Sequence, residues 1–101
     1  MNVVLSRAEL HEIRLATHAR DPETAGTISR RQCTVPRADA RRIATWNGLV
    51  ERGLAFVWSH ATTGDPIYRA REAAVLAARD SDQVISQGLY KAFLREAAER
   101  S

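Results

Sequence analysis

Few residues in this chain are capable of covalent or acid–base chemistry, and their spacing separates them. Ser59 and His60 are neighbours. On a strand, neighbours point to opposite faces, so the two make no nucleophile–base dyad. His11 and His18 fall about two helical turns apart, with no third ligand in view. Cys33 is the only cysteine. It permits no intrachain disulfide and fits a reducing, cytoplasmic interior. One cysteine and three scattered histidines fall short of a structural zinc site. Gly48, Gly53 and Gly64 are isolated, so no Gly-rich phosphate loop is present. The expectation is therefore no enzyme, no cofactor and no metal.

The chemistry that remains is that of arginine. The chain carries a net charge of +3, and 14 of its 15 basic residues are Arg. Between Asp21 and Thr45, the five arginines Arg30, Arg31, Arg37, Arg41 and Arg42 face only Asp21, Glu23 and Asp39. From Arg71 onward the charges balance. The positive field is thus local, which points to a polyanion partner. An Arg- and Ala-rich composition is also what a high-GC bacterium or its bacteriophage writes for any basic surface, so charge alone leaves both readings open.

Chain length and hydropathy set the frame for these side chains. With 101 residues, 45% of them hydrophobic and 27% charged, the chain suits one folded domain. No apolar run approaches the ~20 residues that span a bilayer. Residues 1–5 are too short for a secretory h-region.

Helix 1 is expected from Ser6 to about Arg20. Ser6 and Glu9 form a capping box, Leu5 and Leu10 a staple, and Leu10, Ile13, Ala16 and Thr17 a stripe. Asp21, Pro22 and Glu23 break it. A short second helix is expected over 27–33, with Ile28 and Cys33 as its apolar content. Pro36 suits the first turn of a long helix over about 36–52, with Ile43, Trp46, Leu49 and Val50 on one face. Gly53 then ends it in a left-handed cap, with Leu54 packing back. Residues 55–60 and 66–70 read as a hairpin around Thr62-Thr63-Gly64-Asp65-Pro66. Residues 71–79 are helical. A last helix is capped within 80–83 and runs to about Glu99, with Val84, Ile85, Leu89, Phe93 and Ala97 as its stripe. Trp46 belongs to the core. Phe56 and Trp58 share a strand face that Tyr68 can meet across the hairpin.

In this order of elements the chain resembles a winged helix-turn-helix domain, most of all the small bacterial regulators of the MarR and PadR type. The resemblance rests on "LVERGLAFV" at 49–57 and "IYRAREAAVLAAR" at 67–79. In the first, Leu49, Glu51, Arg52, Gly53 and Leu54 match the end of the third helix. In the second, Tyr68, Arg69, Arg71 and Glu72 match the second wing strand and the helix after it. The fold implied is mainly α with a small β-hairpin. It is a winged helix-turn-helix domain over 1–79, followed by a C-terminal helix over 80–101.

The resemblance implies a transcriptional regulator that binds double-stranded DNA through the helix at about 36–52. The first turns of such a helix meet base edges in the major groove. Arg37 and Arg41 would read guanine, with Arg42, Thr45 and Asn47 further along and Asn47 suited to adenine. Arg30 and Arg31 would hold phosphates. The other reading of these arginines is a solvated helix face, some of them paired with Asp39 or Glu51. Regulators of this kind pair as homodimers, and Val84, Ile85, Leu89 and Phe93 would form the interface, with Gly88 allowing close approach. The same stripe could instead fold back on helix 1. The wing over 59–66 carries no Arg or Lys. That absence, together with the aromatic hairpin, motivates a second function: a protein-binding module, such as a small phage-encoded inhibitor of a host protein.

Overall fold

The structure, a computed structural model, describes residues 3–17 and 26–100. His18, the break at Asp21, Pro22 and Glu23, and the expected end of helix 1 at Arg20 lie outside the described residues. The elements run α1 (Arg7–Thr17), β1 (Thr27–Ile28), β2 (Gln32–Thr34), α2 (Ala40–Glu51), β3 (Ala55–His60), β4 (Pro66–Ala70), α3 (Glu72–Ala78), β5 (Val84–Ile85) and α4 (Gln87–Arg100).

The local signals act where they stand. The Ser6 N–H donates to Glu9 Oε1 at 2.8 Å, and the Glu9 N–H donates back to Ser6 Oγ at 3.1 Å. This reciprocal pair satisfies two donors that the first turn of α1 would otherwise leave open. At the end of α2 the Gly53 N–H bonds the Val50 carbonyl and the Leu54 N–H bonds the Leu49 carbonyl. These are the two bonds of a Schellman cap, and Gly53 at φ +73° supplies the left-handed residue it requires. Leu54 is buried as a result. The hairpin forms as expected, with Gly64 at φ +88° in its turn.

Elsewhere tertiary pairing overrides the local reading. The second helix expected over 27–33 is absent; β1 and β2 occupy that segment. β1 lies parallel to β5, with Thr27 opposite Val84 and Ile28 opposite Ile85. β2 lies antiparallel to β4, pairing Gln32 with Arg69, Cys33 with Tyr68 and Thr34 with Ile67. A helix here could bury only a thin apolar edge. Two short strands give the backbone its partners and bury Ile28 of β1 and Val35, the residue just after β2, in the core.

The long helix begins at Ala40 rather than Pro36. Asp39 caps it, its carboxylate accepting from the Arg42 N–H at 3.2 Å. Pro36 instead opens a turn whose carbonyl accepts from the Asp39 N–H. The last helix begins later than the caps at 80–83 suggest, because Val84 and Ile85 are taken by the β1 pairing. Ser86 then holds the first turn of α4 by accepting from the Leu89 N–H.

The fold is α+β, with a three-stranded antiparallel sheet in the order β2-β4-β3 and a separate parallel pair, β1 and β5. Helix α1 packs on α2, α3, β2 and β4. Trp46 of α2 stacks on Tyr68 of β4, with ring centroids 5.2 Å apart. One buried carboxylate, Glu12 of α1, accepts from the Trp46 indole Nε1 at 3.0 Å and from Arg42 Nε at 2.9 Å. It ties α1 to α2 through the core. Leu89 and Phe93 of α4 bury in that same core. Of the four residues expected at an interface between copies, Leu89 and Phe93 are instead covered within the chain, while Val84 is exposed and Ile85 is half-buried.

Candidate nucleic-acid interface

The arginines expected to face DNA are divided by the fold. Arg42 turns inward from α2, bonding Glu12 and, through Nη2, the Cys33 sulfur at 3.1 Å. Burial pulls its pKa down, but the Glu12 bond and charge outweigh that and the net direction is up. Burial also pushes the Cys33 thiol up, which keeps it protonated and poor as a nucleophile. Arg37 precedes α2 and serves the hairpin turn. Its N–H donates to Asp65 Oδ1 at 3.0 Å, and its Nε lies 3.5 Å from the same oxygen. That backbone bond, then the Thr63 hydroxyl, hold the Asp65 carboxyl below its ordinary value. The Thr45 hydroxyl donates to the Arg41 carbonyl, and Asn47 Oδ1 accepts from the Tyr68 hydroxyl at 2.8 Å. Of the expected α2 readers, Arg41 is the arginine that stays exposed on the helix.

Arg30 and Arg31 lie elsewhere, in the link between β1 and β2. With Arg69 of β4 and Arg95 of α4 they line one open cleft of about 610 Å³. Ser29, Gln32, Thr34, Gly88, Leu89 and Ala92 complete its walls. Arg31 is only 6% exposed. Its Nη1 donates to Glu96 Oε1 at 2.7 Å, its Nη2 meets the other Glu96 oxygen, and Nη1 also reaches the Ala70 carbonyl. Its guanidinium carbon lies 5.7 Å from the ring centre of Phe56 and 5.1 Å from that of Phe93. Glu96 serves Arg71 as well, at 3.7 Å. Arg71 and Arg100 flank the Glu96 side of the cluster.

The positive charges here feel one another. Burial lowers the Arg69 pKa and the like charge of Arg31 lowers it further, against the pull of Glu96. Arg71 is lowered by burial and then by Arg100. Both remain cations at neutral pH, held in a field of like sign.

Arg69 also organises the outer face of the sheet. Alternation along β4 buries Tyr68 and Ala70 and sends Arg69 to the opposite side. Its Nε donates to Gln32 Oε1 on β2 at 3.3 Å, and its guanidinium lies 3.9 Å from the ring centre of Trp58 on β3. Trp58 sits at an irregularity in the β3–β4 register, between Val57 and Ser59, and is 48% exposed.

Sequence reasoning placed Arg30 and Arg31 on a phosphate-facing segment and read Trp58 as a core or protein-contact aromatic, but gave no ligand role to Arg69 or Arg95. The signal for Arg69 was present, since strand alternation puts it opposite Tyr68. Nothing local marks Arg95, which reaches the cleft only because α4 folds back. Among the described residues no group of three or more His, Cys, Asp or Glu side chains could hold a metal ion. No described helix is long and apolar enough to cross a membrane. Comparison with protein-family models, with curated proteins and with solved structures finds no match for this chain.

Proposed function

We propose that this protein binds nucleic acid, and that phosphates occupy the cleft lined by Arg30, Arg31, Arg69 and Arg95 instead of the face of α2. The observation that carries the reading is that Arg30, Arg69 and Arg95 line one open cleft beside Arg31, whose own charge is met by Glu96. Guanidinium is suited to phosphate because its planar fork offers paired donors. The winged-helix resemblance remains part of the proposal for the Gly53 corner and the hairpin, not for the segment at 27–33, where strands replace the expected second helix. What supports it is the Schellman corner leading directly into β3 and β4.

A second reading, a protein-binding module, draws on β3. It is an edge strand with Val57 and Trp58 half-exposed and no charged Arg, Lys, Asp or Glu side chain. Such an edge can add a partner's strand.

Fluorescence anisotropy with random-sequence oligonucleotides at 50 and 200 mM salt tests the first reading. If Arg30, Arg69 and Arg95 each meet a phosphate, counterion release weakens binding about 20- to 40-fold across that range. Arg95→Glu should abolish most of the binding, and Arg41→Glu on α2 should leave most of it. The reverse order would return the contact to α2. Absence of salt-dependent binding by the wild type would leave the protein-binding module.

A further inference from the structure

We infer that the nucleic acid is single-stranded, and that the exposed indole of Trp58 is a stacking platform for one of its bases. This rests on the cleft reading and names the ligand class for it. The chain has two tryptophans, used in opposite ways. Trp46 is fully buried and stacks on Tyr68. Trp58 is left half in solvent on the outer face of the sheet.

Its position is held from below. The β3 register gives Val57 a partner in Tyr68 and Ser59 a partner in Ile67, and Trp58 is the residue between them. An extra residue in a strand re-aims its side chain. Here the indole meets the Arg69 guanidinium, which is itself held by Gln32 on the far strand. Gln32, Arg69 and Trp58 therefore form a row across three adjacent strands. Holding the ring in place before a ligand arrives lowers the ordering cost of stacking on it.

The same Arg69 lines the arginine cleft, so the platform and the phosphate track share a side chain. A backbone lying along Arg30 and Arg95 would carry its bases toward the sheet face. Charge complementarity thus commits the platform to a polyanion with accessible aromatic faces. A duplex does not meet that description, because its bases are sealed against one another and offer only their edges in the grooves. A single strand does, since each unpaired base exposes a π-face that an aromatic ring can cover. The helix that would have read a duplex has Arg42, Thr45 and Asn47 bonded within the chain.

Tryptophan fluorescence tests this directly, because Trp46 is buried and quenching by a bound base reports on Trp58. The full chain is titrated with dT15, with U15 and with a 15-base-pair duplex. Expected are quenching by a single strand and an affinity about ten-fold above that for duplex, within the range that base–aromatic stacking supplies. With the indole reporter removed, the variants are read by fluorescence anisotropy of the labelled oligonucleotides: Trp58→Ala should lose that advantage while leaving the salt dependence unchanged, and Trp58→Phe should keep most of it. Trp58 is a surface residue, and a circular-dichroism melt verifies that both variants fold. Preference for dT15 or for U15 supports the inference either way and identifies the sugar. Equal binding of duplex and single strand, or full single-strand affinity in Trp58→Ala, overturns the stacking platform while leaving the cleft reading in place. No binding to any of the three overturns both.

Discussion

Replacing Glu96 with alanine strips the counter-charge from a guanidinium that has little access to water. Arg31 is 6% exposed and gains two contacts from the Glu96 carboxylate. After the substitution it keeps the Ala70 carbonyl at 3.4 Å and the rings of Phe56 and Phe93, at 5.7 and 5.1 Å from its central carbon. Removing one partner of a buried ion pair costs about 3–5 kcal/mol. The retained cation–π contacts, worth about 1 kcal/mol each, favour the lower end. Glu96 itself is partly solvated, which acts in the same direction. The expected loss is about 3 kcal/mol, a large share of the ~5–15 kcal/mol that holds a domain folded. Glu96→Gln keeps an acceptor for Arg31 and should lose less. Urea denaturation measures both: with a typical slope of about 2 kcal/mol/M, the Glu96→Ala midpoint falls by about 1.5 M. A loss below about 1 kcal/mol at unchanged slope refutes the reasoning. It would mean that Arg31 relaxes to solvent without its partner.

Two glycines with opposite roles provide a second check. Gly48 lies inside α2, where an added methyl group would meet nothing within 4 Å, so Gly48→Ala should stabilise the fold by about 0.5–1 kcal/mol in thermal melts. Gly53→Ala meets no backbone either, yet should destabilise by about 1 kcal/mol because φ +73° is unfavourable for any side chain. A pH titration of stability tests the capping box. Burial raises the Glu9 carboxyl, but bonds from the Ser6 backbone, Arg52 and the Ser6 hydroxyl outweigh it and lower its pKa in the folded state below 4.5. The carboxylate's contribution is therefore complete above pH 4.5 and lost as pH falls through the lower folded value. The difference in melting temperature between wild type and Glu9→Gln should shrink on acidification through that window, and a constant difference would exclude the linkage.

What can be read without the fold is whatever neighbours in sequence decide. Ser6 and Glu9 cap each other across one turn. Gly53 ends α2 through bonds to Val50 and Leu49, a few residues back. The hairpin needs only its own turn and two apolar runs. These elements stood where expected because all the groups that make them lie within a short stretch.

Distance in the chain explains the rest. Residues 27–28 and 32–34 become strands because β5 and β4, remote in the chain, supply hydrogen-bond partners that no local pattern announces. Leu89 and Phe93 look like a free stripe until α4 folds back and the core covers them. An arginine's sequence states its charge but not its task. Arg42 becomes a core tie because Glu12 stands opposite it, and Arg31 a buried ion because Glu96 does. Arg69 and Arg95 join Arg30 at one cleft because a strand and a helix end side by side. The charge was written locally, and its partners, which decide whether a guanidinium braces the fold or faces a ligand, were assigned only when remote segments packed.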